Sequence, residues 1–455
     1  METRISITNP AKGWLKNSIT FKLILITILA FLLLIPSSWI QKIIRERESN
    51  RDEAIYEVSS KWGTDQLLGG PVLSIPYKVT KQVDDEIQEF TRHAHFLPTK
   101  LLVDGEVNTE TLHRGIYDIV LYNSDLSFSG NFEKPDFQSL NIAEEQVMWK
   151  EAFISVGIPD MSGIKDEMKL TWNYHQSKFQ SGIPIDDVYR TGVYSKVMLT
   201  DSTKEYAFNF TLDLNGSNSL SFVPMGRYTE VTLHSPWPDP SFNGNFLPDE
   251  REVTKDGFKA RWSLFDLNRN IPNQWVGERD GLFDSVFGVR LLLTVDEYQK
   301  NLRSSKYSLL IISLTFLIFF LSEVINKKQM HPFQYTLAGL ALVVFYILLL
   351  SLSEHVGFNL SYLISALLTG TLITFYTSAV FRSTRFTAIM GGFFAVVYSF
   401  TFVVLQLEDF SLLAGALGLF IALATTMYLT RKIDWYNLSK SEGPDSNGEP
   451  AAENE

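Results

Sequence analysis

The chain has 455 residues, 45% hydrophobic and 20% charged, with a net charge of −11 from 40 Lys+Arg against 51 Asp+Glu. That length suggests two or three units rather than one small domain, and the acidic balance excludes the basic footprint that nucleic acid requires. The absence of cysteine removes disulfides, thiolate zinc sites, iron–sulfur clusters and cysteine nucleophiles.

A mean hydropathy of +0.02 conceals an uneven distribution, with long apolar runs at the two ends of the chain and charge between them. Residues 1–18 read as a cytoplasmic N-terminus carrying Lys12 and Lys16. Residues 19–40 form the first apolar stretch. Pro36-Ser37-Ser38-Trp39 is a poor signal-peptide cleavage site, so the stretch reads as a retained transmembrane anchor.

Residues 41–62 predict a juxtamembrane helix, with Ile44, Ile55, Val58 and Trp62 at helical spacing. Gly69-Gly70-Pro71 breaks that pattern. The segment 41–305 is then β-rich. Runs at 72–79, 116–122, 151–158, 206–214 and 289–295 are β-branched and aromatic. Val103-Asp104-Gly105, Leu214-Asn215-Gly216 and Asp256-Gly257 read as turns between strands, and residues 135–146 as a short helix. Such spacing predicts a large all-β, sandwich-like domain. Phe96-Leu97-Pro98 followed by residues 127–132, and Phe222-Val223-Pro224 followed by residues 241–246, hint at two related lobes.

Five further apolar stretches of about 20 residues, each long enough to span a bilayer, follow at 307–325, 333–352, 358–381, 386–405 and 410–429. The fold class is thus a mixed membrane protein: six transmembrane α-helices, one N-terminal and five C-terminal, with the β domain inserted after the first. Residues 306–430 form the five-helix bundle. Residues 431–455, with six acids after Arg431 against Lys432 and Lys440, form an acidic, disordered cytoplasmic tail. Lys327, Lys328, Arg382, Arg385, Arg431 and Lys432 lie at alternate span ends, whereas 353–357 and 406–409 carry neither Lys nor Arg. By the positive-inside rule both termini are cytoplasmic and the β domain is periplasmic. Trp14, Trp39 and Trp435 fall near the expected interfaces.

The ordered motifs Trp62-Gly63, Gly70-Pro71, Ile75-Pro76-Tyr77, Arg114-Gly115-Ile116-Tyr117, Pro224-Met225-Gly226, residues 237–248, Gly257-Phe258-Lys259-Ala260-Arg261-Trp262, Val295-Asp296-Glu297-Tyr298-Gln299, Arg303-Ser304-Ser305-Lys306-Tyr307 and His331-Pro332-Phe333-Gln334-Tyr335 resemble those of the CreD family. The resemblance covers nearly the whole chain. It implies an inner-membrane protein linked to cell envelope integrity, with one N-terminal span, a periplasmic domain and a C-terminal helix group. It implies no catalytic residues.

Candidate functional residues follow from intramembrane polarity. Glu354 and His355 end the third span and suit proton relay or pH sensing. Glu323 lies near the end of the second span, with Lys327 four residues on as an ion-pair partner. His331 and Gln334 open the third span and suit headgroup or partner contacts. Trp237 and Phe242, within 237–248, suit a glycan or peptide, or a plug at the domain's end. His93 and His95 share a strand face and, with His113 or His234, resemble an incomplete metal set. Small residues Gly391, Gly392, Ala414, Gly415 and Gly418 suit close helix packing.

No phosphate-binding loop, nucleophile elbow or zinc helix is present in the sequence, and no catalytic, cofactor or metal residue is assigned. The expected function is envelope support, with the β domain binding an envelope component or protein partner. The alternatives are a transporter or lipid-handling protein using the bundle, and a glycan-acting enzyme. Expected partners are the lipid bilayer and an envelope protein, lipid or glycan, with no nucleic acid.

Overall fold

The computed structural model describes residues 19–83, 86–200, 203–291, 297–326, 328–407 and 410–431. Six helices among them are long and apolar enough to cross a membrane, one near the N-terminus and five after residue 307. The chain divides into two compact units, Met1–Ser49 with Asp296–Glu455, and Asn50–Val295.

Helix α1 is Ile19–Leu32 and α2 is Leu34–Trp62. The amide N–H of Leu33 and Ser37 donate to the carbonyls of Leu29 and Leu33, so the backbone ladder carries on from one to the other. Pro36 falls in the first turn of α2, where a missing amide costs least. The helix ends at Gly63 (φ +151°), whose added Cβ would stand 2.5 Å from the Asn215 carbonyl oxygen. A side chain there would force the helix end off the β unit.

The β unit contains β1 (Gln66–Val83), β2 (Glu86–Phe96), β3 (Lys100–Arg114), β4 (Tyr117–Glu133), β5 (Phe153–Gly157), β6 (Lys169–Trp172), β7 (His175–Lys178), β8 (Gln180–Ser181) and β9 (Gly192–Lys196). It continues with β10 (Glu205–Ser217), β11 (Ser219–Phe222), β12 (Tyr228–Ser235), β13 (Pro240–Gly244), β14 (Glu250–Thr254), β15 (Gly257–Phe265), β16 (Gln274–Val276) and β17 (Phe287–Leu291). Among the described residues these make two open sheets. One runs β13-β17-β11-β1-β5-β9-β8, with β2 paired to β1 and β16 to β2; the other runs β14-β15-β12-β3-β4-β10-β6-β7. Each sheet contains one parallel pair, β1 with β11 and β3 with β12; the other pairings are antiparallel.

Alternating burial explains the layering. In β10, Tyr206, Phe208, Phe210, Leu212 and Leu214 are buried while Ala207, Asn209 and Thr211 are exposed, the period-two pattern of a strand with one face on a core. One hydrophobic cluster draws on both sheets, from Val72 and Ile154 in the first to Phe128, Phe210 and Trp262 in the second.

Several local expectations are corrected. Val103-Asp104-Gly105 and Leu214-Asn215-Gly216 are not turns: both lie inside long strands. Their glycines mark close approach, since a Cβ on Gly216 would meet the Tyr122 hydroxyl at 2.2 Å and one on Gly105 the Leu126 and Leu233 side chains at 2.6 and 2.9 Å. Asp256-Gly257 does separate β14 from β15. Gly69-Gly70-Pro71 lies within β1, where the register to β5 shifts. Residues 135–146 hold only a 3₁₀ turn at Glu144–Gln146. The Asp136 carboxylate accepts from the Gln138 and Ser139 amides at 3.0 and 3.3 Å, and Asn141 is left-handed at φ 57°, so side-chain-to-backbone bonds displace the helix. Of the suspected repeats, residues 127–132 lie inside β4 whereas 241–244 lie in β13, so the two segments sit in different settings.

In the helical unit, α3 (Glu297–Lys306) precedes α4 (Ser308–Asn326), α5 (Pro332–Val356), α6 (Phe358–Phe381), α7 (Thr384–Gln406) and α8 (Ser411–Thr430). Gly418 of α8 packs closely on the Phe400 ring, while an added Cβ at Gly392 or Gly415 would meet nothing within 4 Å. Trp39 is exposed on α2. Trp14, Trp435, Lys12, Lys16, Lys327, Lys432 and the acidic tail lie outside the described residues.

Candidate functional site

Two polar constellations stand out, one in each unit. The first crosses the end of the helical unit at which α5 gives way to α6. Helix α3 turns an unusually polar face inward, burying Tyr298, Asn301, Ser304 and Ser305. These recur at helical spacing and so share one stripe. The Tyr298 hydroxyl donates to Glu354 Oε1 at 3.0 Å, and Arg47 Nε lies 4.0 Å from the same oxygen. Asn301 Nδ2 donates to Ser353 Oγ at 2.7 Å and to the Glu297 carbonyl at 2.9 Å. Arg303 donates to the Leu407 carbonyl at 3.0 Å, and the Lys300 ammonium lies 5.9 Å from the Phe358 ring centre. Gln299 Nε2 donates to Glu48 Oε1 at 2.8 Å. The result is a polar collar that ties helix ends together. It was hidden in sequence because Glu297-Tyr298-Gln299 and Arg303-Ser304-Ser305 look like an ordinary approach to a span. The polar stripe at 298, 301 and 305 was the available signal.

Glu354 thus belongs to the collar, whereas neighbouring His355 is exposed. His331 and Gln334 sit at the opposite end of α5, and both cap it. The Phe333 amide donates to His331 Nδ1 at 3.2 Å and the His331 amide to Gln334 Oε1 at 3.0 Å, with Pro332 in the first turn. This reciprocal bonding satisfies amides left free at a helix start. Twenty residues of helix, about 30 Å, separate Gln334 from Glu354, so the structure does not bring them together.

Glu323 is buried and pairs with Lys22 of α1, Nζ to Oε2 at 2.7 Å. The Met330 amide also donates to it. The expected partner Lys327 lies outside the described residues.

The second constellation is in the β unit. Ser74 Oγ lies 2.9 Å from His95 Nδ1, and His95 Nε2 lies 3.2 Å from Asp187 Oδ2. Ser74 and His95 face each other across the β1–β2 ladder, and Asp187 comes from the loop between β8 and β9. The residue types are those of a nucleophile triad, but Ser74 is 1% and His95 0% exposed, so no substrate reaches the hydroxyl. The chain latches the 182–191 segment to the sheet. Beside it lies a cavity of about 400 Å³ lined by Asp186, Asp187, Tyr189, Arg190, Glu278 and Arg279 among others. The Tyr189 ring fits against Gly69 and Gly157, where a Cβ would intrude to 2.6 and 2.5 Å.

The hydrogen bond from His95 holds the Asp187 carboxyl below its usual range. Burial lowers His93 and raises Tyr189. A general acid for glycoside cleavage requires a raised carboxyl, the opposite of Asp187. His93 and His95 do share a surface, but the group that meets them is Asp187. His113 pairs with Asp118 at 2.5 Å, and among the described residues no group of three or more His, Asp or Glu side chains could hold a metal ion.

The unfolded chain binds protons more readily than the folded one at both His93 and Asp187, so stability rises with pH across each window. The His93 contribution is complete above about pH 6.5 and is lost as pH falls towards its lowered value. That of Asp187 is complete above about pH 3.9 and is lost as pH falls through its lowered value. A thermal midpoint plotted against pH should lose its upper step in His93→Gln and its lower step in Asp187→Asn; unchanged profiles would refute the assignment.

Trp237 and Phe242 are half-buried against the core. Phe242 meets the Phe258 and Trp262 rings edge-on, both at 5.8 Å, and lies on β13, an edge strand paired to β17. Trp237 Nε1 donates to the Asp239 carbonyl at 3.2 Å.

Six candidate spans flanking a large domain of open, mixed sheets define a multi-pass membrane protein of one particular architecture. The family model for inner membrane protein CreD matches residues 18–436. The chain is also 33% identical, over 93% of its length and 95% of the relative's, to the inner membrane protein CreD of Escherichia coli (strain K12). The chain belongs to the CreD family.

Proposed function

We propose that this inner-membrane protein supports envelope integrity and that its β domain, held outside the cytoplasm, binds a protein partner through the arm formed by β1 and β2. The observation that carries this reading is the arm itself. Among the described residues, from Tyr77↔Arg92 to Lys81↔Gln88 neither strand has another ladder partner, apart from a single bridge from Tyr77 to Val147. The pairing of β1 with β5 ends at Ser74, and that of β2 with β16 at Ala94. Ile87 is 77% and Phe90 43% exposed on this ribbon. A two-stranded ribbon is marginal in water, and its extended backbone and exposed apolar side chains suit strand addition by another protein. The orientation is supported by Lys328, Arg382, Arg385 and Arg431 at one set of helix ends and by the lack of Lys or Arg at 353–357.

The test replaces residues 79–90 by Asn-Gly, which joins the facing residues Lys78 and Thr91 through a tight hairpin turn. In a deletion strain this chain should reach the membrane at the normal level and fail to restore detergent resistance. Full restoration would overturn the role of the arm. The cysteine-free background lets the same strains report orientation. With the outer membrane opened, an impermeant maleimide should label Tyr174→Cys, at a fully exposed position, and should label Arg385→Cys only after the inner membrane is breached. The reverse pattern would overturn the orientation.

A further inference from the structure

We propose that the groove between α6 and α7 is a binding site for an anionic phospholipid, one acyl chain lying along the groove and the phosphate meeting Arg303 and Lys300. The groove encloses about 720 Å³ and extends from Asn359 to Phe375 on α6 and from Thr387 to Val403 on α7. This volume lies in the range of small-molecule sites. The sixteen rises from Asn359 to Phe375 on α6 give it a length of about 24 Å, more than the ~15 Å depth of one leaflet's hydrocarbon.

Small side chains open the groove. Gly370, Gly391 and Ala395 line it, and an added Cβ at Gly391 would meet only the Thr374 methyl, at 3.8 Å. The floor is aromatic: Tyr362, Phe394, Tyr398 and Phe402 pack on one another at ring separations of 5.3 to 6.4 Å. The walls therefore offer an acyl chain dispersion contacts and little polarity.

The polarity is concentrated at one mouth. Gln406 Nε2 donates to Asn359 Oδ1 at 2.7 Å, bridging α7 to α6. Arg303 reaches the Leu407 carbonyl, one turn beyond Val403. Lys300 lies over Phe358, adjacent to Asn359. Neither cation makes an ion pair with a carboxylate among the described residues, although other lysines and arginines of the chain do. Two basic groups beside the mouth of an apolar slot complement a phosphodiester whose chain enters that slot, and a guanidinium suits phosphate best.

The site is tested on the purified full chain by native mass spectrometry after exchange into phosphatidylglycerol or phosphatidylcholine. The native chain should retain phosphatidylglycerol in preference to phosphatidylcholine by about thirtyfold, the scale expected for two basic residues at an anionic headgroup. The double variant Arg303→Gln with Lys300→Gln should retain both lipids about equally. Gly391→Leu, which fills the open space in a helix that tolerates leucine, should release both lipids and leave the chain folded by circular dichroism. Equal retention of the two lipids by the native chain would overturn the proposal. So would retention unchanged in Gly391→Leu, or a dimer that Gly391→Leu separates, which would make a second copy the occupant.

Discussion

Lys22→Met is expected to destabilise the helical unit by about 3–5 kcal/mol, the usual result of removing one partner of a buried ion pair. Glu323 is 6% exposed and Lys22 24%, so the carboxylate is the member that suffers. Without Lys22 it keeps the Met330 amide and the Tyr335 hydroxyl, neither of which replaces the lost counter-charge. The surroundings are apolar, with Phe319 and Phe320 buried in the preceding turn. The double variant Lys22→Met with Glu323→Met should recover most of the loss and lie within about 1 kcal/mol of the native chain, because replacing both charges also removes the desolvation they require. The midpoint of thermal unfolding in detergent would show this. A single variant as stable as the double would mean that the pair is not coupled. The same pair ties α1 to α4, so the N-terminal helix is expected to leave the bundle when Lys22 is lost.

Trp262→Ala should lower the stability of the β unit by about 3–5 kcal/mol, as for other large-to-alanine core changes. Trp262 is 0% exposed and lies between the rings of Phe242 and Phe287 at 5.8 and 5.6 Å. Its indole N–H donates to the Phe246 carbonyl at 3.2 Å, so truncation leaves both a cavity and an unanswered acceptor. The effect should be local in onset, with protease cleavage within residues 237–248 rising first, because Trp262, on β15 of the other sheet, anchors that segment through Phe242 and the Phe246 carbonyl. Phe242→Ala, at a half-buried position, should cost about 1–2 kcal/mol. Equal costs for the two would show that the segment is not seated on Trp262.

The parts legible in sequence were those in which one physical signal acts alone. Apolar runs such as 358–381 were read easily, since five such stretches of about 20 residues in succession point to a bilayer more readily than to a core. Strand interiors such as 206–214 alternated cleanly. The glycines were misread because glycine serves two purposes. At Gly105 and Gly216 it makes room for the Leu233 side chain and the Tyr122 ring, neighbours that come from strands remote in sequence. Asp187 was not found as the partner of His95 for the same reason, being 92 residues away. Polar stripes were also underestimated. Asn301 and Ser305 in an approach to a span look like a solvated face, yet they are buried against helix ends.

The two parallel strand pairs set a timetable for the nascent chain. Gln66 is matched to Leu220 and Lys100 to Tyr228, so neither sheet acquires its central pairing until some 130–150 further residues have been made. At about 5–20 residues per second, β1 and β3 wait roughly 7–30 s for the strands that cover them. During that interval, hairpins such as β3–β4 form early while their partner edges stay open, the condition under which unpaired strands find the wrong neighbour. Folding of this domain should therefore depend on whatever keeps early strands apart until β11 and β12 are made.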